Sequence, residues 1–257
     1  MKLIDTHAHL FMLEHDPLEK ILERSRAAGV DKLITVSTDE KNWSDNQRIS
    51  EAHENIFFTL GMHPHDTSRW QECAAELSRL LTPGKVHKKC VAVGELGLDY
   101  HYNRSPQDVQ RDVLEAQVLL AKAVNLPIVI HCRDAFEDLY NLLRKVGLPA
   151  RGGVMHCFTG GKKDLKGALD LGLHISFSGI LTFKTAAELR EASKDVPKDC
   201  LLIETDCPFL APIPHRGKPN EPAYLPMTAH CLATARGESV ANVAGLTHEN
   251  AVKFFQI

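Results

Sequence analysis

Short apolar runs alternate with amphipathic stretches along the whole of this 257-residue chain, and that alternation restricts its possible folds more than any other feature. The runs predict strands over residues 3–6, 32–37, 56–60, 90–94, 127–130, 153–155, 173–177 and 201–203. Helices are predicted over residues 17–28, 40–54, 70–81, 106–125, 135–146, 162–171 and 185–194, with more from 223 to 257. Asp16 reads as the N-cap of the first helix, with Pro17 at its first position and Gly29 as its stop. Ser105 and Pro106 read the same way for the long helix before Asn125. Eight strands, each followed by a helix or a loop leading to one, is the count of a (β/α)8 TIM barrel. Doubly wound open sheets share the alternation. The continuous apolar runs are what parallel strands buried on both faces require. No linker, low-complexity segment or glycine-rich nucleotide fingerprint interrupts the pattern, so residues 1–257 read as a single α/β domain. The proline-rich stretch 208–226 reads as a long active-site loop.

The first strand runs into His7 and His9, which alternation places on one face with Ala8 on the other. Such a pair alone is more often a solvated turn than a metal site. Later strand ends supply His63, Glu95, His131, His156 and Asp206. In parallel barrels catalytic groups sit where strands end and the following loops begin. Buried imidazoles and carboxylates need partners, and a cation offers one to all of them. Four histidines (His7, His9, His131, His156) and two carboxylates (Glu95, Asp206) exceed the needs of one tetrahedral ion. They suit two divalent ions, with Glu95, on a middle strand, predicted to bridge. His63 precedes Pro64 in a loop and reads as a substrate contact, a further ligand or a capping histidine.

Arg133, next but one to His131, and Arg216 and Lys218, beyond Asp206, suit an anionic substrate, since guanidinium forks match phosphate oxygens. Surface charge or structural ion pairs are the alternative reading. Tyr100, His101 and Tyr102 can stack bases of a single-stranded end or fill the barrel mouth. Glu204 and Asp99 are candidates to orient ligand histidines, with helix caps or ion pairs as the alternative. The net charge of -3 shows no global basic footprint, so a nucleic acid must be gripped by a local cluster and by metal. The seven cysteines are odd in number and form no C-x-x-C, which fits reduced thiols in a cytoplasm. Cys132, Cys157 and Cys207 each follow a ligand-type residue; strand alternation turns them into the packing layer rather than towards a soft metal. Asp5, His7 and His9 interrupt any signal-peptide core, no run has membrane-spanning length, and no obligate protein partner is evident.

The segments IDTHAHL, GMHPH, VGELGLDYHY, IVIHCRDA, GGVMHCFTG, ISFSGILTF and IETDCPFLAPIPHRGKPNEP, in this order, resemble the TatD family of metal-dependent hydrolases, a branch of the amidohydrolase-like barrels. They cover most of the chain, and the last is especially specific. The resemblance implies one metal held by His7, His9, Glu95 and Asp206, and a second by Glu95, His131 and His156. It places His63, Arg133 and Arg216 towards the scissile phosphate. It implies a magnesium-dependent deoxyribonuclease, with manganese or zinc also open, acting 3′→5′ on single-stranded DNA ends or on another phosphodiester. In that mechanism Asp206 orients the attacking water or takes its proton. Three rivals remain: an amide or lactone hydrolase, a histidinol-phosphatase-type phosphoesterase, and a metal-containing binding protein without turnover. The first often bridges its metals with a modified lysine, where strand four here offers Glu95. The second lacks the IETDCPFLAP ending.

Overall fold

A computed structural model describes residues 1–257. Its strands are β1 (Leu3–Ala8), β2 (Val30–Thr35), β3 (Ile56–Leu60), β4 (Cys90–Asp99), β5 (Ile128–Arg133), β6 (Gly153–Met155), β7 (His174–Phe177) and β8 (Leu201–Ile203). They lie side by side in chain order, each parallel to the next. Helices alternate with them: α1 (Leu18–Ala27), α2 (Glu40–Ala52), α3 (Trp70–Leu80), α4 (Gln107–Val124), α5 (Phe136–Val146), α6 (Lys162–Asp170) and α7 (Ala187–Ser193). The last two, α8 (Leu225–Arg236) and α9 (Val240–Phe255), follow the long loop after β8.

The sheet closes at the β8–β1 seam. Thr6 Oγ1 donates to Ile203 O (3.0 Å), Asp206 N to His7 O (2.9 Å) and His9 N to Cys207 O (2.8 Å). The Asp5 carboxylate accepts from both Thr205 N (2.9 Å) and Thr205 Oγ1 (2.5 Å) across the same seam. The product is the (β/α)8 barrel. A core cluster of 53 buried residues fills the layer between strands and helices. A second cluster of 11, with Ile4, Ile34, Val91, Val129, Val154 and Leu202, packs with Phe254 and Phe255 of α9. Period-2 alternation makes this second cluster the barrel interior, which α9 plugs from the end opposite the candidate site.

Several boundaries depart from the sequence-based ones. Both prolines sit one position earlier relative to their helices: Pro17 and Pro106 are themselves the N-cap residues. Asp16 does not cap; its carboxylate takes Arg24 at 2.7 Å. Ser105 is likewise diverted, donating to His65 O (2.9 Å) and accepting from Ser68 N (3.1 Å), so long-range partners outcompete the local cap. Strand β2 begins at Val30 and stops at Thr35. Strand β4 continues five residues past Gly94 because Gly97 permits it. At φ +146° a Cβ there would stand 1.9 Å from His131 O, so only glycine lets β4 lie flush against β5.

Candidate metal centre

Two strands reach the centre through irregular pairing. On β1, Asp5 pairs with Leu33 and Ala8 with Thr35, so three steps oppose two. On β4, Val93 pairs with Ile128 and Leu96 with Ile130, again one residue in excess. Each extra residue is a bulge that re-aims a side chain at a barrel rim. His7 lies in the first bulge and Glu95 in the second. The loop end of β8 contributes Asp206 at φ +59°, a left-handed conformation uncommon for a non-glycine residue and typical of functional turns.

All of the ligand-type residues at the strand ends converge. Glu95 Oε2 lies 3.3 Å from His7 Nε2 and 3.8 Å from His9 Nε2. Its other oxygen, Oε1, faces His156 Nε2 at 2.8 Å, His131 Nδ1 at 3.1 Å and His63 Nε2 at 3.4 Å. Asp206 Oδ1 stands 3.4 Å from His9 Nε2 and 3.7 Å from His7 Nε2. The imidazoles of His7 and His156 stack at 3.9 Å between centroids, joining the two halves. His7, His9, Glu95, His156, Asp206 and His63 are buried, and His131 is nearly so. Ligand atoms within 4.8 Å of one another occur in the triads His7–His9–Glu95, His7–His156–Asp206 and His63–Glu95–His131. His63 therefore stands with the ligand-type residues, and it also caps the turn that follows, its Nδ1 accepting from His65 N at 3.1 Å.

The far nitrogens test whether this set suits a metal. His131 Nε2 donates to Asp99 Oδ2 (3.1 Å), His156 Nδ1 to Glu204 Oε1 (3.2 Å) and His9 Nδ1 to Val36 O (3.0 Å). Each acceptor holds the proton on the outer nitrogen and turns a lone pair inwards. His131 Nδ1 and His156 Nε2 then confront each other at 3.3 Å, beside the Glu95 oxygen. Three acceptors thus converge with only the N–H of His63 Nε2 to share, 3.4 Å from Glu95 Oε1, an arrangement that a cation relieves. Without one, the protein compensates with protons. Burial opposes charge on His156, but Glu95 and the Glu204 hydrogen bond raise it well above the usual imidazole range. Burial would likewise raise Glu95, but His156, His63 and His7 hold it well below the usual carboxylate range. Burial takes His63 down to about 4, so its imidazole is neutral near pH 7. The donor set fits divalent ions.

Around the mouth, the other candidates separate. Arg133 lies 4.7 Å over the Tyr102 ring and Arg216 3.9 Å over the Phe183 ring, and neither has a carboxylate partner. Arg104, also over Tyr102 (5.6 Å), is a third such cation, and Lys218 on the loop is exposed. Arg216 makes no hydrogen bond or ion pair with any of the ligand-type residues and packs on Phe183 instead. Tyr100 is not brought to the centre: its hydroxyl donates to Asp138 (2.8 Å) and accepts from Arg111 (3.0 Å), while its ring packs on the core. Two residues further on, beyond the end of β4, it is Tyr102 whose ring is exposed. His101 pairs with Asp134. Cys132 and Cys207 belong to the core, Cys157 meets Ser178, and no sulfur joins a ligand-type triad. All seven thiols are free.

His65 was given no role by sequence reasoning, yet its Nε2 donates to the same Asp99 oxygen that holds His131, at 2.9 Å. The only signal was its place in the His-Pro-His of GMHPH. Phe209, beside His9, was also missed.

Known proteins match this chain over nearly its whole length. The sequence profile of the family described as TatD related DNase matches residues 4–256. A Bacillus subtilis (strain 168) protein described as uncharacterized metal-dependent hydrolase YabD is 42% identical over 257 residues, 99% of each chain. The 3′-5′ ssDNA/RNA exonuclease TatD of Rahnella sp. (strain Y9602) is 36% identical over 244 residues, 93% of this chain and 92% of that one. The crystal structure of YJJV, a TatD homolog from Escherichia coli K12, superposes with a TM-score of 0.93 at 29% identity, covering 99% and 98% of the two chains. An amidohydrolase from Saccharomyces cerevisiae shares the fold alone, with a TM-score of 0.83 at 18% identity over 99% of this chain and 100% of that one. With a family match over nearly its whole length and close relatives named as metal-dependent hydrolases, this chain belongs to the TatD family of metal-dependent hydrolases.

Proposed function

We propose that this hydrolase cleaves phosphodiester bonds, acting as a 3′→5′ exonuclease on single-stranded DNA. The observation that carries the reading is a buried imidazole–carboxylate centre opening at a rim whose arginines, Arg104, Arg133 and Arg216, lack carboxylate partners. Free guanidinium groups beside such a centre match an anionic, phosphate-bearing substrate rather than a neutral amide or lactone. The exonuclease activity named for the Rahnella relative supports the same choice.

His7, His9, Glu95 and Asp206 would hold one ion, and Glu95, His131 and His156 the other. Divalent ions held there would neutralise the phosphoryl oxygens and acidify the attacking water. The two carboxylates suit magnesium or manganese, while the four imidazoles also admit zinc. Asp206 is the proton acceptor. Its Oδ1 is engaged by His9 and His7, which leaves Oδ2 for the water. Burial works against its charge, but protons on His9, His7 and His156 lower it, and ions held by the same nitrogens would do the same. Water oxygen adds to phosphorus, its proton passes to Asp206, and the P–O3′ bond breaks, the departing oxygen regaining a proton from solvent. His63, neutral at working pH, and Arg133 receive the phosphoryl oxygens from the β3 and β5 sides. Arg216 reaches the phosphate from the loop after β8.

The test is hydrolysis of a 5′-labelled single-stranded oligonucleotide with added magnesium or manganese. A ladder shortening from the 3′ end is expected, reduced at least about a thousandfold in Asp206→Asn and Glu95→Gln. Equal activity in wild type and variants would trace the cleavage to a contaminant and overturn the mechanism.

A further inference from the structure

Few large apolar side chains are exposed on this molecule, and two of them stand at the rim of the centre: Tyr102 at 53% and Phe209 at 50%. Tyr102 lies in the loop after β4 and Phe209 in the loop after β8. In a barrel of eight strands in chain order, those loops are diametrically opposed. The two rings therefore flank the metal centre from opposite sides.

Neither ring sits on a loose backbone. Phe209 N donates to Asp206 O (2.9 Å), and Phe209 O accepts from Asn220 Nδ2 (2.6 Å), a side chain fully buried beneath the loop. Tyr102 N donates to the Asp99 carboxylate (2.8 Å), whose other oxygen holds His131. The backbone that bears each ring is thus held by a hydrogen bond to a residue of the centre or to one that orients it. The Phe209 ring meets His9 edge-on at 5.8 Å, and the Tyr102 ring meets His65 edge-on at 5.5 Å. Arg133 (4.7 Å) and Arg104 (5.6 Å) lie over the Tyr102 ring, again without a carboxylate partner, and Tyr102 still leaves about half its surface to solvent. Fixing a half-exposed aromatic ring beside a polar centre contributes little to folding, because half its apolar area stays in water. An aromatic face presented in this way suits a flat partner, and bases stack on such faces irrespective of sequence.

Resting on the nuclease reading, we infer that Phe209 and Tyr102 each stack one of the two nucleobases flanking the scissile phosphate, so that the substrate is gripped as a dinucleotide unit. Phe209 and Tyr102 are substrate-binding residues that set a requirement for bases. The phosphate lies between them, over the metal ligands. Arg104 and Arg133 add charge for the backbone on the Tyr102 side.

The experiment uses three single-stranded oligonucleotides: one intact, one abasic at the 3′-terminal nucleotide and one abasic at the penultimate nucleotide. Phe209→Ala and Tyr102→Ala should each lower kcat/KM on the intact oligonucleotide about tenfold, mainly through KM. Each should cost less than about twofold on the one abasic substrate that lacks its base, because ring and base report one interaction. Phe209→Trp should restore activity, and Phe209→Leu, which keeps the apolar volume without the flat face, should not. Equal losses on all three oligonucleotides, or no loss on the intact one, would overturn the stacking assignment while leaving the nuclease intact. Wild type that cleaves none of the three with any divalent ion would overturn the nuclease reading, and this inference with it.

Discussion

Asp99 decides how His131 presents itself. Its Oδ2 accepts from His131 and His65, and its Oδ1 from Tyr102 N. Burial opposes its charge, but the hydrogen bonds of His131, His65 and Tyr102 hold it far below the usual carboxylate range. An ionised acceptor at that position keeps the proton on His131 Nε2 and the lone pair on Nδ1, facing Glu95. Asp99→Asn removes the charge while nearly preserving shape, and its amide can donate as well as accept. We expect metal affinity to fall about 10- to 100-fold in calorimetric titration. Unchanged affinity would mean that His131 does not depend on this partner for its tautomer. His7 differs from the other inward histidines, for its outer nitrogen is buried without a hydrogen-bond partner. Its orientation comes from stacking on His156 and from the β1 bulge.

The loop from Pro208 to Pro226 is the element that brings Phe209 and Arg216 to the mouth, and its far end is tethered by an ion pair. Glu221 accepts from Arg24 of α1 through both oxygens (2.6–3.1 Å) and lies 3.4 Å from His15. Burial would raise the Glu221 carboxyl, but the Arg24 and His15 hydrogen bonds lower it. A carboxyl with a lowered folded pKa contributes stability fully above its unfolded pKa of about 4.3, and loses it as pH falls through the folded value. Glu221→Gln should therefore melt below wild type near neutral pH. Arg24 is partly exposed, so the gap should be about 2–4 °C, matching roughly 1 kcal/mol. It should close as the pH is taken below about 4.3. A gap that persists undiminished in acid would show that packing, not the ion pair, holds the loop. The loop could be recognised in the sequence from its prolines and charges, but the tether could not, because Arg24 and Glu221 are 197 positions apart.

In the molecule as a whole, the centre joins the loop ends of β1, β3, β4, β5, β6 and β8, so bound ions cross-link most of the barrel mouth. A ligand bound only by the folded state stabilises by about 4 kcal/mol at a thousandfold excess over Kd. Chelation should accordingly lower the melting temperature by roughly 10 °C, and added metal should restore it. A melting temperature indifferent to chelator would mean that the ligand-type residues hold no ion of consequence. No helix of the molecule is long and apolar enough to cross a membrane.

The barrel was legible in the sequence because burial on both faces of a parallel strand, and on one face of a helix, leaves periodic signals within about ten residues. The chemical character of the mouth was legible for a related reason. Imidazoles and carboxylates placed where apolar runs end stand at the ends of strands, and in a barrel all those ends share one rim. Helix starts were less legible: Asp16 and Ser105 have good local capping chemistry, yet both spend their side chains on partners the local sequence does not show. The tertiary structure alone decided the rest. The bulges that aim His7 and Glu95 arise from pairing register, a relation between strands. Which oxygen of Glu95 faces which histidine, that Asp99 serves both His131 and His65, and that Tyr102 rather than Tyr100 is exposed all follow from contacts between separate elements. Local periodicity carries which face of a segment is buried; it carries no information on what a distant segment, brought alongside by closure of the sheet, places against that face.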